Sequence, residues 1–379
     1  MDEQILAVTL WILILLASVV SVEFGLSVAI VEIALGIIGV GNGDPACHEP
    51  DTFVAEVPVR RIALDSWRWK QTPVAPGREC VLAHPGAEFV LTFLTHLDTV
   101  PPYIPPRVEG DTLWGRGACD AKGIAAAMMV AARRLRESGY PVALLFVVGE
   151  ETSHDGALAA NDWAARNLAP TIPRVLVNGE PTGNRLALGT KGASRVEVRV
   201  RGRTAHSAYP ELGRSATSEL VRLLGELDSL PLPEDPLLGK TTVNIGSIRG
   251  GVADNVLAPE ATARLMFRLV TPVEEVRPLI ERWAAGRAEL EWGVHAPPQR
   301  LSGLEGFDTC VVAYTTDIGA LTHWGKPYLL GPGSIELAHT DGERITLGEL
   351  QLAVDLYGKL AETVLCRSHL TGDGERSRG

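Results

Sequence analysis

Residues 142–151 read Val142-Ala143-Leu144-Leu145-Phe146-Val147-Val148-Gly149-Glu150-Glu151. The run Val142–Val148 is apolar without interruption, has the length of a strand, and stops at a glycine followed by two acids. A strand that is apolar on both faces is covered on both faces, which is the habit of a parallel sheet. Three more runs have this form. Phe89–Leu94 ends at Thr95-His96-Leu97-Asp98, Val175–Val177 at Asn178-Gly179-Glu180, and Tyr328–Leu330 at Gly331-Pro332-Gly333. Helical patterns over Ala121–Glu137 and Ala157–Asn167 lie between them. Strands alternating with helices predict an α/β domain: a mostly parallel sheet with helices on both faces.

The middle of the chain follows a different rhythm. Ser194–Arg201 alternates strictly, with Val196, Val198 and Val200 on one side and Arg195, Glu197, Arg199 and Arg201 on the other. One wet face predicts an antiparallel sheet. Ser218–Leu227 has the spacing of an amphipathic helix. Thr242–Ile248 and Ala261–Val270 read as strands and Val273–Ala285 as a second helix. Residues 189–295 are therefore read as an inserted α+β domain, and residues 62–188 with 296–367 as the α/β domain that it interrupts. Residues 43–61 read as a linker, and residues 368–379 as a polar, disordered tail.

Residues 1–42 stand apart. Ile5–Val22 is a run of 18 uncharged residues, long enough as a helix to span roughly 27 Å. No cationic residue precedes Arg60, so a secretory signal is a poor reading. The segment reads as a membrane helix with contact through residues 5–40. The alternatives are a hydrophobic core helix and an accident of fusion, since Ala17–Asn42 resembles the first transmembrane region of sodium/proton exchangers. The Arg60/Arg61 side is expected in the cytoplasm.

Composition narrows the function. At about 150 residues per domain, 379 residues suggest two or three domains. Lys and Arg number 35 against 46 Asp and Glu, a net charge of −11. Nucleic acid is not an expected partner for such a balance. The five cysteines are scattered, without C-x-x-C spacing, so neither a disulfide framework nor a thiolate zinc site is expected.

Potential ligands gather just past the strand ends: His96 and Asp98, Glu150 and Glu151, Glu180, and His339, with Asp120 at the start of a helix. In open α/β sheets ligands bind at the carboxyl edge of the strands, so these residues should converge. Two imidazoles and several carboxylates suit zinc, cobalt or manganese. So many acids in one cleft repel one another unless cations neutralise them, and their number argues for two ions.

Several strings then point the same way. They are Thr95-His96-Leu97-Asp98-Thr99-Val100-Pro101, Gly115-Arg116-Gly117-Ala118-Cys119-Asp120-Ala121-Lys122-Gly123, Gly149-Glu150-Glu151 and Gly179-Glu180-Pro181. Together they resemble the dinuclear-zinc amidohydrolases: acetylornithine deacetylase, succinyl-diaminopimelate desuccinylase, aminoacylase and carboxypeptidase G. The later stretch Leu330–His339 is similar to the acetylornithine deacetylase branch.

The resemblance, which runs from about residue 90 to 365, implies two zinc (or cobalt or manganese) ions. His96 would bind one metal. Asp120 would bridge both, next to a cis peptide to Ala121. Glu151 and Glu180 would complete the two sites, with His339 on the second metal. Asp98 would orient His96 through its carboxylate, and Glu150 would be the general base. His206 would stabilise the oxyanion, reaching across a homodimer interface formed by the inserted domain. Asn255, Arg268, Gly333 and Ser334 would bind substrate, with Arg264 as the ordinary surface residue on the same strand. The substrate would be an N-acyl amino acid, or a dipeptide in a dipeptidase or carboxypeptidase of the same family.

Two readings from other classes compete. Cys119 could be a thiol nucleophile with His96 as base, but its neighbourhood is acidic and reactive thiolates need positive surroundings. A dead, membrane-tethered binding protein is the other, and the presence of every ligand and of the base argues against it.

Overall fold

A computed structural model describes residues 68–75, 78–86 and 88–372. The segments read as membrane helix and linker lie outside them. Among the described residues no helix is long and apolar enough to cross a membrane.

The main elements in chain order are β1 (Arg68–Ala75), β2 (Arg78–His84), β3 (Leu91–His96), α1 (Lys122–Glu137), β4 (Val142–Val147), α2 (Asp155–Asn167) and β5 (Val175–Asn178). Then come β6 (Gly192–Arg201), α3 (Ala216–Leu224), β7 (Thr242–Gly250), β8 (Glu260–Leu269), α4 (Val273–Ala284) and β9 (Glu289–Ala296). The chain closes with β10 (Lys326–Leu329) and α5 (Leu347–Gly372). Two compact units result. Of the described residues, one unit takes in those up to Ala187, Ser302–Cys310 and those from Ala320 to Gly372; the other is Leu188–Leu301 with Val311–Gly319.

The first unit is built on a six-stranded sheet in the order β1-β2-β4-β3-β5-β10. β4, β3, β5 and β10 are mutually parallel; β2 runs against them, and edge strand β1, antiparallel to β2, runs with them again. Alternation along β4 sorts its side chains to two cores. Leu144 and Phe146 join Phe93, Val177 and the alanines of α1, whose far side packs on Leu350, Val354 and Tyr357 of α5. Ala143, Leu145 and Val147 face Ala157, Ala160 and Ala164 of α2, together with Trp324. The run Ala125-Ala126-Ala127 in α1 lets that helix lie close between sheet and α5. The Tyr357 hydroxyl donates to the Leu330 carbonyl at 2.9 Å, tying α5 to the end of β10.

The expected strands form with shifted ends. β3 begins at Leu91 rather than Phe89 and continues through His96, because Thr95 and His96 pair with Phe146 and Val147. β10 begins at Lys326, which pairs with Val175, and ends at Leu329. The tail does not begin at 368, since α5 continues to Gly372.

The second unit is a four-stranded antiparallel sheet in the order β7-β8-β6-β9. Val196, Val198, Val200, Ala263, Leu265 and Phe267 pack under Leu220 and Leu223 of α3 and Val276, Ile280 and Trp283 of α4. The other face is wet and cross-linked by charge: Arg199 reaches Glu197 and Glu260, and Arg264 reaches Glu197. α3 starts at Ala216, two residues before the apolar spacing suggests. Ser215 accounts for this, because its hydroxyl accepts the Ser218 N–H as an N-cap.

Candidate active site

The parallel strands of the first unit all end at one edge of its sheet. His96 is the last residue of β3, Glu150 and Glu151 follow β4, and Glu180 follows β5. The turn after β4 depends on Gly149, whose φ is +81°. A Cβ there would lie 2.2 Å from the Asp155 carboxylate, so only glycine fits this bend. Asp120 sits just before α1, at a cis peptide to Ala121. His339 lies beyond β10 with φ +63°.

Two groups of donors converge at this edge, each with its ligand atoms within 4.8 Å of one another. One is His96, Asp120 and Glu180; the other is Asp120, Glu151 and His339. Asp120 belongs to both and turns a different oxygen to each. Its Oδ1 lies 3.0 Å from His96 Nε2, and its Oδ2 lies 3.3 Å from His339 Nε2. His339 Nε2 is 3.0 Å from Glu151 Oε1, and His96 Nε2 is 3.9 Å from Glu180 Oε2. Borderline nitrogen ligands and hard carboxylates, with one carboxylate between two groups, fit a pair of divalent cations. The nearby thiol takes no part. Cys119 is fully buried, burial and the charges of Glu343 and Asp120 push its pKa far up, and its Sγ donates to the Ser334 carbonyl at 3.6 Å.

Asp98 meets His96 with both its backbone carbonyl and its carboxylate. His96 Nδ1 lies 3.1 Å from the Asp98 main-chain carbonyl and 3.6 Å from its carboxylate. The carbonyl is therefore the nearer orienting acceptor, and it leaves Nε2 facing Asp120. The carboxylate also accepts the N–H of Glu150 at 3.3 Å and of Glu151 at 3.1 Å. Asp98 thus ties the β3 end to the β4 turn that carries both glutamates.

Without cations the imidazoles balance the acids. Burial pushes the His96 pKa down, but hydrogen bonds to Asp120 and Asp98 and the charges of Glu180 and Asp120 outweigh it and raise it well above the ordinary value. Hydrogen bonds to Asp120 and Glu151 raise His339 from 6.5 to about 10. Burial acts to raise Asp120, but hydrogen bonds from His339 and His96 hold it far below the usual carboxylate range. A group whose pKa rises on folding contributes its full stability below its unfolded value and loses it as pH passes the folded value. The metal-free protein should therefore lose the His339 contribution between pH 6.5 and about 10. Thermal midpoints in chelator, compared with His339→Asn, would show it. The gap between the two proteins should close across that window, and a constant gap would count against the assignment.

The remaining candidates fall in two places. Gly333, with φ +80°, is buried against Cys119, and Ser334 bridges to Thr182, both in the first unit. His206, Asn255 and Arg268 belong to the second unit. There the segments 205–207 and 255–257 pair: Ser207 N–H donates to the Asn255 carbonyl and Leu257 N–H to that of Ala205, both at 2.9 Å. His206 and Asn255 are thus exposed neighbours. His206 Nδ1 accepts the Ala208 N–H at 3.1 Å. Arg268 is half-buried on β8, four residues from the exposed, ion-paired Arg264.

Sequence reasoning passed over Arg116 and Glu343, which form a buried pair at 2.6 Å beside Asp120. Their signal was an arginine inside the Gly115–Gly123 string and a glutamate four residues after His339.

With this geometry in hand, comparison with known proteins is direct. Residues 188–289 match the model of the peptidase dimerisation domain. A Peptidase M20 domain-containing protein of Schizosaccharomyces pombe is 39% identical over 299 residues, covering 75% of this chain and 72% of that protein. A probable carboxypeptidase of Aspergillus flavus is 39% identical over 326 residues, covering 76% and 75%. Among solved structures, the aminopeptidase PepT of Bacillus cereus superposes with a TM-score of 0.69 at 19% identity, over 89% of this chain and 98% of that one. A dinuclear metal-binding M20 peptidase of Bacillus subtilis gives 0.64 at 15% identity, over 89% and 97%. Fold and site define a metal-dependent hydrolase of amide bonds. The chain belongs to the M20 peptidase family.

Proposed function

We propose that this protein hydrolyses the amide bond of a short peptide or N-acyl amino acid whose terminal carboxylate is free. The observation that carries this reading is the Asp120 carboxylate shared by two ligand groups, with Glu150 next to one ligand and outside both groups. His96, Asp120 and Glu180 would hold one divalent cation, and Asp120, Glu151 and His339 the other. Bound there, such cations supply Lewis acidity and bring the pKa of water toward neutrality.

The chain's own groups do the rest. Glu150 takes the proton of the attacking water and returns it to the departing amine. His206 donates to the carbonyl oxygen as it gathers charge. Its Nδ1 already accepts a backbone N–H, so the proton of the neutral ring sits on Nε2, free to donate. Arg268 and Asn255 bind the substrate carboxylate, for which a guanidinium fork is well shaped. Gly333 and Ser334 contribute to the substrate-binding wall.

Cleavage of a peptide and removal of an acyl group use the same machinery, so the site serves a carboxypeptidase or dipeptidase as well as an acetylornithine deacetylase-like deacylase. The relatives described as probable carboxypeptidases favour the peptide reading. A homodimer is proposed from the dimerisation-domain match and from edge strand β7, which exposes Ile245 and Ile248.

The test is hydrolysis by the full chain and by His206→Ala of a panel of dipeptides, N-acetyl and N-succinyl amino acids and their C-terminal amides, before and after chelation. Turnover should depend on metal. It should fall roughly 10- to 100-fold when the substrate carboxylate is amidated, the worth of a lost charged hydrogen bond. His206→Ala should lower turnover at unchanged metal content. Equal cleavage of acids and amides would remove the carboxylate requirement, and absence of cleavage by metal-loaded protein would remove the function.

A further inference from the structure

Arg116 and Glu343 are 2% and 1% exposed, and each spends its polar atoms on a different set of loops. Glu343 Oε1 accepts three backbone N–H groups, those of Gly117 at 2.8 Å and of Cys119 and Asp120 at 3.2 Å. Its Oε2 receives Arg116 Nη1 at 2.6 Å. The same guanidinium donates to the Thr340 carbonyl and, through Nε, to the Pro102 carbonyl, both at 3.2 Å. Backbone bonds close the arrangement: Arg116 N–H to the Ile104 carbonyl at 3.1 Å, and Gly115 N–H to the Glu343 carbonyl at 3.1 Å.

Three loops meet in this knot. The first, reaching Pro102 and Ile104, follows His96 and Asp98. The second, Gly115–Asp120, carries the shared carboxylate. The third, Thr340–Glu343, begins one residue after His339. A buried ion pair of this kind gives little net stability over a well-packed apolar pair, since both charges must leave water. Its benefit lies in geometry: a planar fork and a carboxylate fix several backbone groups at once.

We infer that Arg116 and Glu343 are positioning residues that hold the backbones on either side of the metal ligands in their binding arrangement. The inference rests on the dinuclear metal reading. Neither side chain belongs to a ligand group, so both act through Asp120, His96 and His339. Support of this sort around a metal site is worth about 10- to 100-fold in affinity.

The test uses the full chain with cobalt(II) as probe. Affinity comes from competition titration, coordination from the visible absorption spectrum, and folding from circular dichroism. Glu343→Gln leaves Arg116 charged and buried, and it can unfold for that reason alone. The double variant Arg116→Met/Glu343→Gln leaves no buried charge unpaired. Arg116→Lys keeps the charge but loses the fork. Folded variants should bind cobalt at least tenfold more weakly, with an altered spectrum and a lower kcat at similar KM.

Hydrogen exchange in the chelated wild-type chain needs no variant, and the amides of Gly117, Cys119 and Asp120 should be protected there. A folded double variant with wild-type affinity and spectrum overturns the positioning role, as does fast exchange of those amides. Wild-type protein that takes up no cobalt overturns the metal reading and this one with it.

Discussion

Glu150→Gln should keep its metals and lose turnover by about 10²- to 10⁴-fold, the usual worth of a positioned general base. Glu150 and Glu151 are adjacent, yet the turn after β4 sends them to different work. Glu151 Oε1 meets His339 at 3.0 Å and belongs to a ligand group, whereas Glu150 belongs to neither. The Asp98 carboxylate holds both backbone N–H groups, so the turn is fixed whichever side chain is changed. Glutamine matches glutamate in size and keeps an acceptor oxygen, but it cannot take up a proton at neutral pH. The deficit should therefore appear in kcat, with metal content by atomic absorption and KM close to wild type. Turnover within a few-fold of wild type would remove Glu150 from the reaction. Loss of metal together with activity would make it a ligand instead.

The site was more legible in the sequence than the fold around it. Each ligand type is uncommon at the end of a buried apolar run, so His96, Glu150-Glu151 and Glu180 announce themselves by position. The parallel order of β4, β3, β5 and β10 then brings them to one edge. β1 and β2 gave no such signal. Their sequences mix Trp69, Lys70, Gln71 and Pro73 with short apolar stretches, and the pairing that makes them strands is tertiary. α5 was legible but passed over: Leu350, Val354, Tyr357 and Ala361 recur at helical spacing, and all four are buried. Arg116 and Glu343 lie 227 positions apart, and nothing local tells a buried charge pair from two solvated side chains. Asp98 shows a subtler limit. Sequence identifies a carboxylate two residues from a histidine, but only the backbone path decides that its carbonyl lies nearer the ring.

Asp120→Asn should abolish binding at both metal positions, a larger effect than any other single ligand change. The two donor groups have one residue in common, and it gives Oδ1 to one and Oδ2 to the other. An amide keeps the shape, but its nitrogen has no lone pair to offer a cation and its charge is gone. Whichever way the amide turns, one position loses a ligand atom, and both lose the negative charge that draws cations in. His339→Ala is the contrast, since it strips a ligand only from the group that contains Glu151. Metal titration of the three proteins should give stoichiometries falling from wild type through His339→Ala to Asp120→Asn, with turnover below detection in the last. The fold should survive, because Glu343 still accepts the backbone N–H of residue 120 whatever its side chain. Asp120→Asn with full metal content and a wild-type cobalt spectrum would mean that the two donor groups are separate sites, and the shared carboxylate would cease to be the centre of the chemistry.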